Sequence, residues 1–144
     1  MNKYLELKER HRKEVNEFPM FFAFNNEQFN EGMEKAGLKS TDTDKIHSLK
    51  GTGGFYKKTD SVPLGNMFNK HEAERKKAIN EDTTGDGYIY QMFRYELSNH
   101  EYIVTSDLTD TLSALGITMK EINASPQLLH GLHKAKEDYL KNVN

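Results

Sequence analysis

One acidic loop has the residue types and spacing of a calcium-binding loop. Residues 82–89 read Asp-Thr-Thr-Gly-Asp-Gly-Tyr-Ile, which places oxygen ligands at loop positions one, three and five, glycine at six and an apolar residue at eight. The twelfth position should be a bidentate glutamate, and it is Phe93. Without that glutamate the loop lacks two coordinating oxygens and one negative charge. We therefore interpret these residues as a turn between two helices and predict no metal site there.

A polar cluster is predicted where a helix meets a strand. It comprises Glu96, Asn99, His100, Glu101 and Asp107. A carboxylate beside an imidazole is the minimum for acid–base catalysis. The sequence supplies no recognisable nucleophile, oxyanion device or metal-ligand spacing beside it, and such clusters are more typical of helix caps and junctions. We predict no catalytic residue.

The glycine-rich segment Gly51-Thr52-Gly53-Gly54 could offer backbone N–H groups to an anion. It lacks the lysine of a phosphate-binding loop and a helix directly after it, so a hairpin turn is the better interpretation. The alternative hypothesis is a nucleotide- or phosphate-binding protein or hydrolase. It requires two segments to converge on one pocket. The residues involved would be Gly53, Gly54, Lys57, Asn99, His100 and Glu101. No cofactor is predicted.

The histidines show no recognisable zinc motif. The segment from His71 to Arg75 is not HExxH, because an arginine replaces the second histidine. His130 and His133 provide two imidazoles three residues apart, with no obvious third ligand. His11 lies on the apolar stripe of the first predicted helix, where a boundary residue is more typical than a ligand. These patterns predict no metal site.

Tyrosines are concentrated in one region of the chain. Tyr88, Tyr90, Tyr95 and Tyr102 lie within fifteen residues, more than one helix face can bury. Some of these rings must reach solvent, and tyrosine carries binding energy at interfaces. Our leading hypothesis is therefore a non-catalytic interaction module that binds another protein, or a second copy of itself, through these tyrosines.

Met20–Phe24 is the longest apolar run of the chain, and its position in the sheet is the first question about the fold. It is bounded by Pro19 and Asn25, which predicts a strand covered on both faces at the centre of a sheet. We expect it to pair with a strand at residues 102–105. Residues 46–49 and 55–58, separated by the glycine-rich turn, predict a β-hairpin.

Most of the remaining chain has helical spacing. Apolar residues recur every three or four positions, and capping patterns such as Asn25 with Gln28 and Thr118 with Glu121 mark where helices begin. We predict an α+β fold, with one small mixed or antiparallel sheet of three to four short strands packed by about six helices. The length predicts a single domain, residues 1–144.

Composition excludes several classes of function. The absence of cysteine excludes disulfides, thiolate metal sites and thiol catalysis. The 20 basic residues are outnumbered by 22 acidic ones, which disfavours a nucleic-acid partner. No apolar segment approaches the ~18 residues of a membrane span, and the start of the chain lacks the apolar core of a signal peptide. We expect a soluble, cytoplasmic protein with no membrane partner.

Three groups of residues form a recognisable combination: Phe18–Phe24, Gly51–Phe55 with Thr59 and Asp60, and Tyr95–Tyr102 with Asp110 and Ala114–Gly116. Together they resemble an uncharacterised family of short proteins from Gram-positive bacteria, their phages and mobile elements. The resemblance covers most of the chain. The resemblance implies a small cytoplasmic accessory protein that acts on host or rival defence machinery, and it implies no activity or catalytic residue.

Overall fold

The computed structural model describes residues 2–102 and 106–141. The chain divides into two compact units. We call Met1–Arg10 with Ala73–Asn144 the helical unit, and His11–Glu72 the sheet unit. The prediction of one domain over residues 1–144 stays a prediction.

Within the described residues, the regular structure consists of seven α-helices and three strands. In chain order these are α1 (Lys3–Glu17), β1 (Met20–Phe22), α2 (Asn26–Lys35), β2 (Ile46–Leu49), β3 (Gly54–Lys57), α3 (Ser61–Glu81), α4 (Tyr88–Asn99), α5 (Thr109–Leu115), α6 (Met119–Asn123) and α7 (Pro126–Lys141). Both α1 and α3 contribute residues to the two units. The predicted α+β fold is confirmed. None of the described helices combines the length and apolar composition needed to cross a membrane.

The sheet is antiparallel and has the order β1-β3-β2. The predicted hairpin is confirmed, with Ile46 opposite Lys57 and Leu49 opposite Gly54. Its turn is closed by Thr52, whose Oγ1 donates to the Leu49 carbonyl at 2.8 Å and accepts from the Gly54 N–H at 3.0 Å. Gly51 and Gly53 have φ values of +80° and +75°, a conformation that glycine adopts without steric cost.

The prediction that Met20–Phe24 is a central strand covered on both faces is wrong. β1 is an edge strand, and Phe22 and Phe24 are 48% and 77% exposed. Phe21 points to one face, where its ring lies 5.9 Å from Phe29 of α2 and 5.4 Å from Phe55 of β3. Because side chains alternate along a strand, Phe22 points to the opposite face. Central β3 takes the place expected for β1.

The strand expected at residues 102–105 lies mostly outside the described residues. Its first residue, Tyr102, is helical. For the described part of this segment, the strand prediction is therefore wrong. The β propensity of the aromatic and β-branched residues in this segment did not decide the conformation of Tyr102, since strand propensity depends on the surrounding packing.

The core of the helical unit lies mainly between α4 and α7. The inner face of α4 is formed by Ile89, Met92, Phe93 and Leu97, which are all buried. The facing stripe of α7 consists of the buried side chains of Leu128, Leu132, Ala135 and Tyr139. Gly131 lies at the close approach of the two helices. A Cβ at this position would meet Ile89 Cγ2 and the Gly85 carbonyl oxygen.

The Gly131→Ala substitution should lower the free energy of unfolding by about 1–3 kcal/mol, because the new methyl group overpacks a rigid contact. Gly65→Ala is a matched control, since Gly65 lies inside α3 and the new Cβ would meet open space beyond the backbone of its own helix. This control should be stabilising by about 0.5–1 kcal/mol through helix propensity. Urea unfolding measures both. Equal effects of the two substitutions would contradict the packing account.

Candidate functional site

The four predicted tyrosines occupy different environments. Tyr88 is buried in the core, with its ring edge-to-face against Tyr4 at a centroid distance of 5.6 Å. Burial raises the pKa of Tyr88 to about 12. Tyr95 is partly exposed and lies beside Tyr4 as well, with Lys8 Nζ 5.4 Å from its ring centroid. Tyr88 and Tyr95 therefore share the α1 side of α4.

Tyr90 and Tyr102 lie against α7. The Tyr90 hydroxyl donates to Asp138 Oδ2 at 2.7 Å, and Lys134 Nζ lies 5.0 Å from its ring centroid. Partial burial, followed by the hydrogen bond to Asp138, raises the pKa of Tyr90. Lys136 Nζ lies 5.6 Å from the Tyr102 ring. Helical geometry places Lys134 and Lys136 on opposite flanks of the buried α7 stripe. The partly exposed tyrosines thus occupy separate positions.

Within the predicted polar cluster, the structure pairs His100 with Glu96, and this pair belongs to a buried network. Glu96 Oε1 accepts from the Tyr4 hydroxyl at 2.7 Å and from Lys8 Nζ at 3.4 Å. Glu96 Oε2 lies 3.2 Å from His100 Nε2. Burial, followed by the hydrogen bond to Glu96, raises the pKa of Tyr4. The Glu96 carboxylate therefore links α1 to α4. A carboxylate beside an imidazole is also what acid–base catalysis would need, but here Glu96 and His100 take part in holding two helices together.

We expect Tyr4→Phe to lower the free energy of unfolding by about 1.5–3 kcal/mol, because it removes a hydrogen bond to a buried carboxylate. Lys8→Met should cost less than about 1 kcal/mol, since the ammonium is half exposed and screened by solvent. Chemical unfolding of both variants measures the difference. A larger loss for Lys8→Met would show that the ion pair, rather than the tyrosine, holds Glu96.

The acidic loop is closed by its own backbone. Asp82 Oδ1 accepts from the Gly85 N–H, and Asp82 Oδ2 accepts from the N–H groups of Gly87 and Ile89, all at 3.0 Å. These bonds hold the entry to α4. Asp86 Oδ1 lies 2.8 Å from His130 Nε2 and 3.0 Å from Lys134 Nζ. A cation in this loop would compete with backbone donors and with a lysine, which agrees with its interpretation as a turn.

The pKa of Asp86 should lie below its ordinary value of 3.8, because it is lowered by the hydrogen bonds from His130 and then Lys134. A lower pKa in the folded state contributes stability above pH 3.8 that is lost as the pH falls through the folded pKa. An NMR titration of the Asp86 carboxyl carbon measures this. In a His130→Gln/Lys134→Met variant the pKa should return towards 3.8, and an unchanged value would contradict the assignment of its cause.

The residues of the alternative ligand site fall in different units. Gly53, Gly54 and Lys57 belong to the sheet unit, whereas Asn99, His100 and Glu101 belong to the helical unit. The Gly54 N–H donates to Thr52 within the turn, so this amide is already engaged. Whether the two segments share a pocket stays a prediction.

An exposed aromatic surface runs beside the glycine turn. We call it the phenylalanine edge, and it comprises Phe22, Phe24, Gly53 and Gly54. Phe22 is opposite Gly54 in the β1–β3 register, and the Phe24 ring lies against Gly53. The Ala23 N–H donates to the Gly53 carbonyl at 2.9 Å. Because hydrogen-bonded pairs alternate along antiparallel strands, the Phe22 N–H and C=O point away from β3, towards the open side of this edge strand.

Three potential metal ligands meet between α1 and α3 in the sheet unit. The ligand atoms of His11, Glu14 and His71 all lie within 4.8 Å of one another. His71 Nε2 is 2.6 Å from Glu14 Oε2, and the two imidazole rings stack with centroids 3.9 Å apart and planes inclined by 16°. The histidines are 8% and 3% exposed, whereas the Glu14 side chain is 32% exposed.

The profile of a protein family described as a family of unknown function (DUF7659) matches residues 3–138. The chain belongs to this family. No curated protein and no solved structure matches it. The description of DUF7659 names no activity, which agrees with the expected resemblance to an uncharacterised family.

In this DUF7659 chain the histidine–glutamate cluster is the group that the sequence patterns missed. The sequence favours His11 as a boundary residue on the apolar stripe of its helix, and His71 enters the sequence patterns only through the HExxH comparison. The three-residue spacing of His11 and Glu14 on one helix was the available local signal. The third ligand comes from α3, and its approach depends on the fold.

Proposed function

We propose that this member of the DUF7659 family is a non-catalytic protein-interaction module that binds an extended segment of another protein along the phenylalanine edge. The observation that carries the proposal is the exposure of Phe22 and Phe24, 48% and 77%, on an edge strand. Aromatic side chains are enriched in the core of interfaces. Covering large apolar side chains of this kind by a partner lowers the free energy, because their surface is removed from water.

Two kinds of contact support a strand-like partner. Covering the exposed parts of the phenylalanine rings would contribute about 1–2 kcal/mol for each ring. The outward backbone groups of Phe22 can pair with an added strand, as in other proteins that recognise extended peptides. Backbone pairing supplies affinity in such complexes, and the rings would select apolar side chains of the partner.

The glycines of the turn support the placement of the two rings. A Cβ at Gly53 would collide with the Phe24 ring, and a Cβ at Gly54 would lie 3.1 Å from Phe22 Cε1. Each ring therefore lies directly on glycine backbone. Contacts of this kind restrict the rings before a partner arrives, which lowers the entropy cost of binding.

The tyrosine positions are a second location for the same function. Tyr90, Tyr95 and Tyr102 are partly exposed, and each has a lysine over its ring. Tyrosine is enriched in interface hot spots. Their separation over the helical unit favours the phenylalanine edge as the principal contact, and a second copy of the chain is the alternative partner at either location.

The cellular setting that we propose follows the resemblance described above. It is a small cytoplasmic accessory protein of Gram-positive bacteria or their phages and mobile elements, with host or rival defence machinery as its target. The formal net charge of -2 supports a protein partner over a nucleic acid. Neither membrane insertion nor a cofactor is part of this proposal.

The double variant Phe22→Thr/Phe24→Ser should weaken partner binding about tenfold or more, because it removes both exposed rings. Threonine keeps the β propensity of the strand, so the melting temperature should change by no more than about 2 °C. Quantitative pull-down from the cells of origin identifies the partner, and calorimetry with the purified partner gives the affinity.

Val62→Ser is the matched control, because Val62 is 73% exposed in the same unit but lies in α3, outside the phenylalanine edge. It should bind as the wild type does. A Tyr90→Ala/Tyr95→Ala variant tests the second location. Loss of binding in the tyrosine variant, with normal binding by the phenylalanine variant, would transfer the contact to the helical unit.

A further inference from the structure

The cluster of His11, Glu14 and His71 has a donor set that selects among metal ions. It offers two imidazole nitrogens and one carboxylate oxygen. Ca²⁺ and Mg²⁺ prefer sites made of oxygen ligands, whereas Zn²⁺ and neighbouring transition metals bind imidazole well. Two histidines with one carboxylate is also the protein ligand set of one class of zinc enzyme.

Burial of the imidazoles distinguishes this cluster from a chance surface grouping. Both rings are almost wholly removed from solvent, and the Glu14 carboxylate, which contacts His71, is itself partly covered. Buried surroundings suit histidines that bind a metal, because the exclusion of water strengthens the electrostatic interaction with the ion. All three ligands also lie on α-helices: two are three residues apart on α1, and the third is on α3.

We propose that His11, Glu14 and His71 form a binding site for a divalent transition metal of the zinc class. In a tetrahedral zinc site with bonds of about 2.1 Å, donor atoms lie about 3.4 Å apart. The present separations, all within 4.8 Å, require shifts of about 1 Å. The imidazole planes are inclined by only 16°, so the rings must also rotate out of their stack until both nitrogen lone pairs point at one ion. Binding of the ion would replace the contact between His71 Nε2 and Glu14 Oε2, and a proton held by either group would leave to solvent.

One coordination position would remain open towards a cleft. Glu14 and His71 line a cavity of ≈ 430 Å³ together with Met67 and Lys70. Three protein ligands with a fourth position open to water or another donor is the arrangement of accessible zinc sites. Lys70 Nζ lies 3.8 Å from Glu14 Oε1, and this exposed side chain can move into solvent when the ion binds.

Metal binding can be measured directly on the full chain, prepared without a histidine tag and stripped of metal by a chelator. Zn²⁺ should bind at one equivalent by calorimetry, and Co²⁺ should give the visible absorption of a low-symmetry site with nitrogen ligands. A hundredfold excess of free Zn²⁺ over its Kd should raise the melting temperature by about 5 °C or more. Mg²⁺ and Ca²⁺ should leave it unchanged.

Two substitutions test the ligands, and one tests the location. Glu14→Gln and His71→Gln should each weaken Zn²⁺ binding about tenfold or more. His130→Gln is the matched control, since His130 is exposed on α7 and should leave binding unchanged. Circular dichroism establishes that each variant is folded.

A measurement on the wild-type chain makes the test independent of folding of the variants. In an NMR titration, the imidazole nitrogens of His11 and His71 should shift on addition of Zn²⁺, while those of His47 should not. Absence of stoichiometric binding would overturn the proposal. Binding that leaves the His11 and His71 signals in place, or survives both ligand substitutions, would overturn it equally.

Discussion

The close approach of α4 and α7 at Gly131 is the constraint on which the helical unit depends. With no side chain there, Ile89 and the Gly85 carbonyl reach the α7 backbone, so the loop before α4 lies against α7. That position lets Asp86 meet His130 and Lys134, while Asp82 holds the first turn of α4. Asp82 and Asp86, which match ligand positions of a calcium loop, therefore connect α4 and α7 instead.

The sheet unit depends on fewer apolar contacts. Among its described residues, the buried apolar side chains are Met33 and Leu64, and the rings of Phe21, Phe29 and Phe55 pack against one another and are partly covered. Two buried histidines occupy positions that a larger core would give to apolar residues. Burying imidazoles costs free energy unless they have polar partners. This polar burial, together with the exposed rings of β1, sets the sheet unit apart as the carrier of both proposals.

Local patterns predicted much of this fold, because caps and turns act over a few residues. Asn25 accepts a hydrogen bond from the Gln28 N–H, and Thr118 with Glu121 forms the capping box.

The positions of these elements relative to one another could not be predicted as well from the sequence. An apolar run has the same pattern in a covered central strand and in an edge strand, so β1 was misplaced. His71 lies 57 residues from Glu14, and no local spacing reports such a contact. Helical period could have separated Tyr88 from Tyr90, but only packing decides which of them is buried.

The phenylalanine edge owes its shape to backbone features that precede any binding. Gly51 and Gly53 hold left-handed conformations that fix the hairpin, and the pairing of Ala23 with Gly53 fixes β1 against it. The Phe24 ring then lies against Gly53, and the Phe22 ring lies against Gly54. Binding of a partner strand as proposed would require little reorganisation of this surface, which lowers one part of the free-energy cost of association. An exposed edge strand is prone to unwanted pairing with other chains. The presence of two exposed aromatic rings on such a strand is consistent with the proposed role of this surface in recognising another chain.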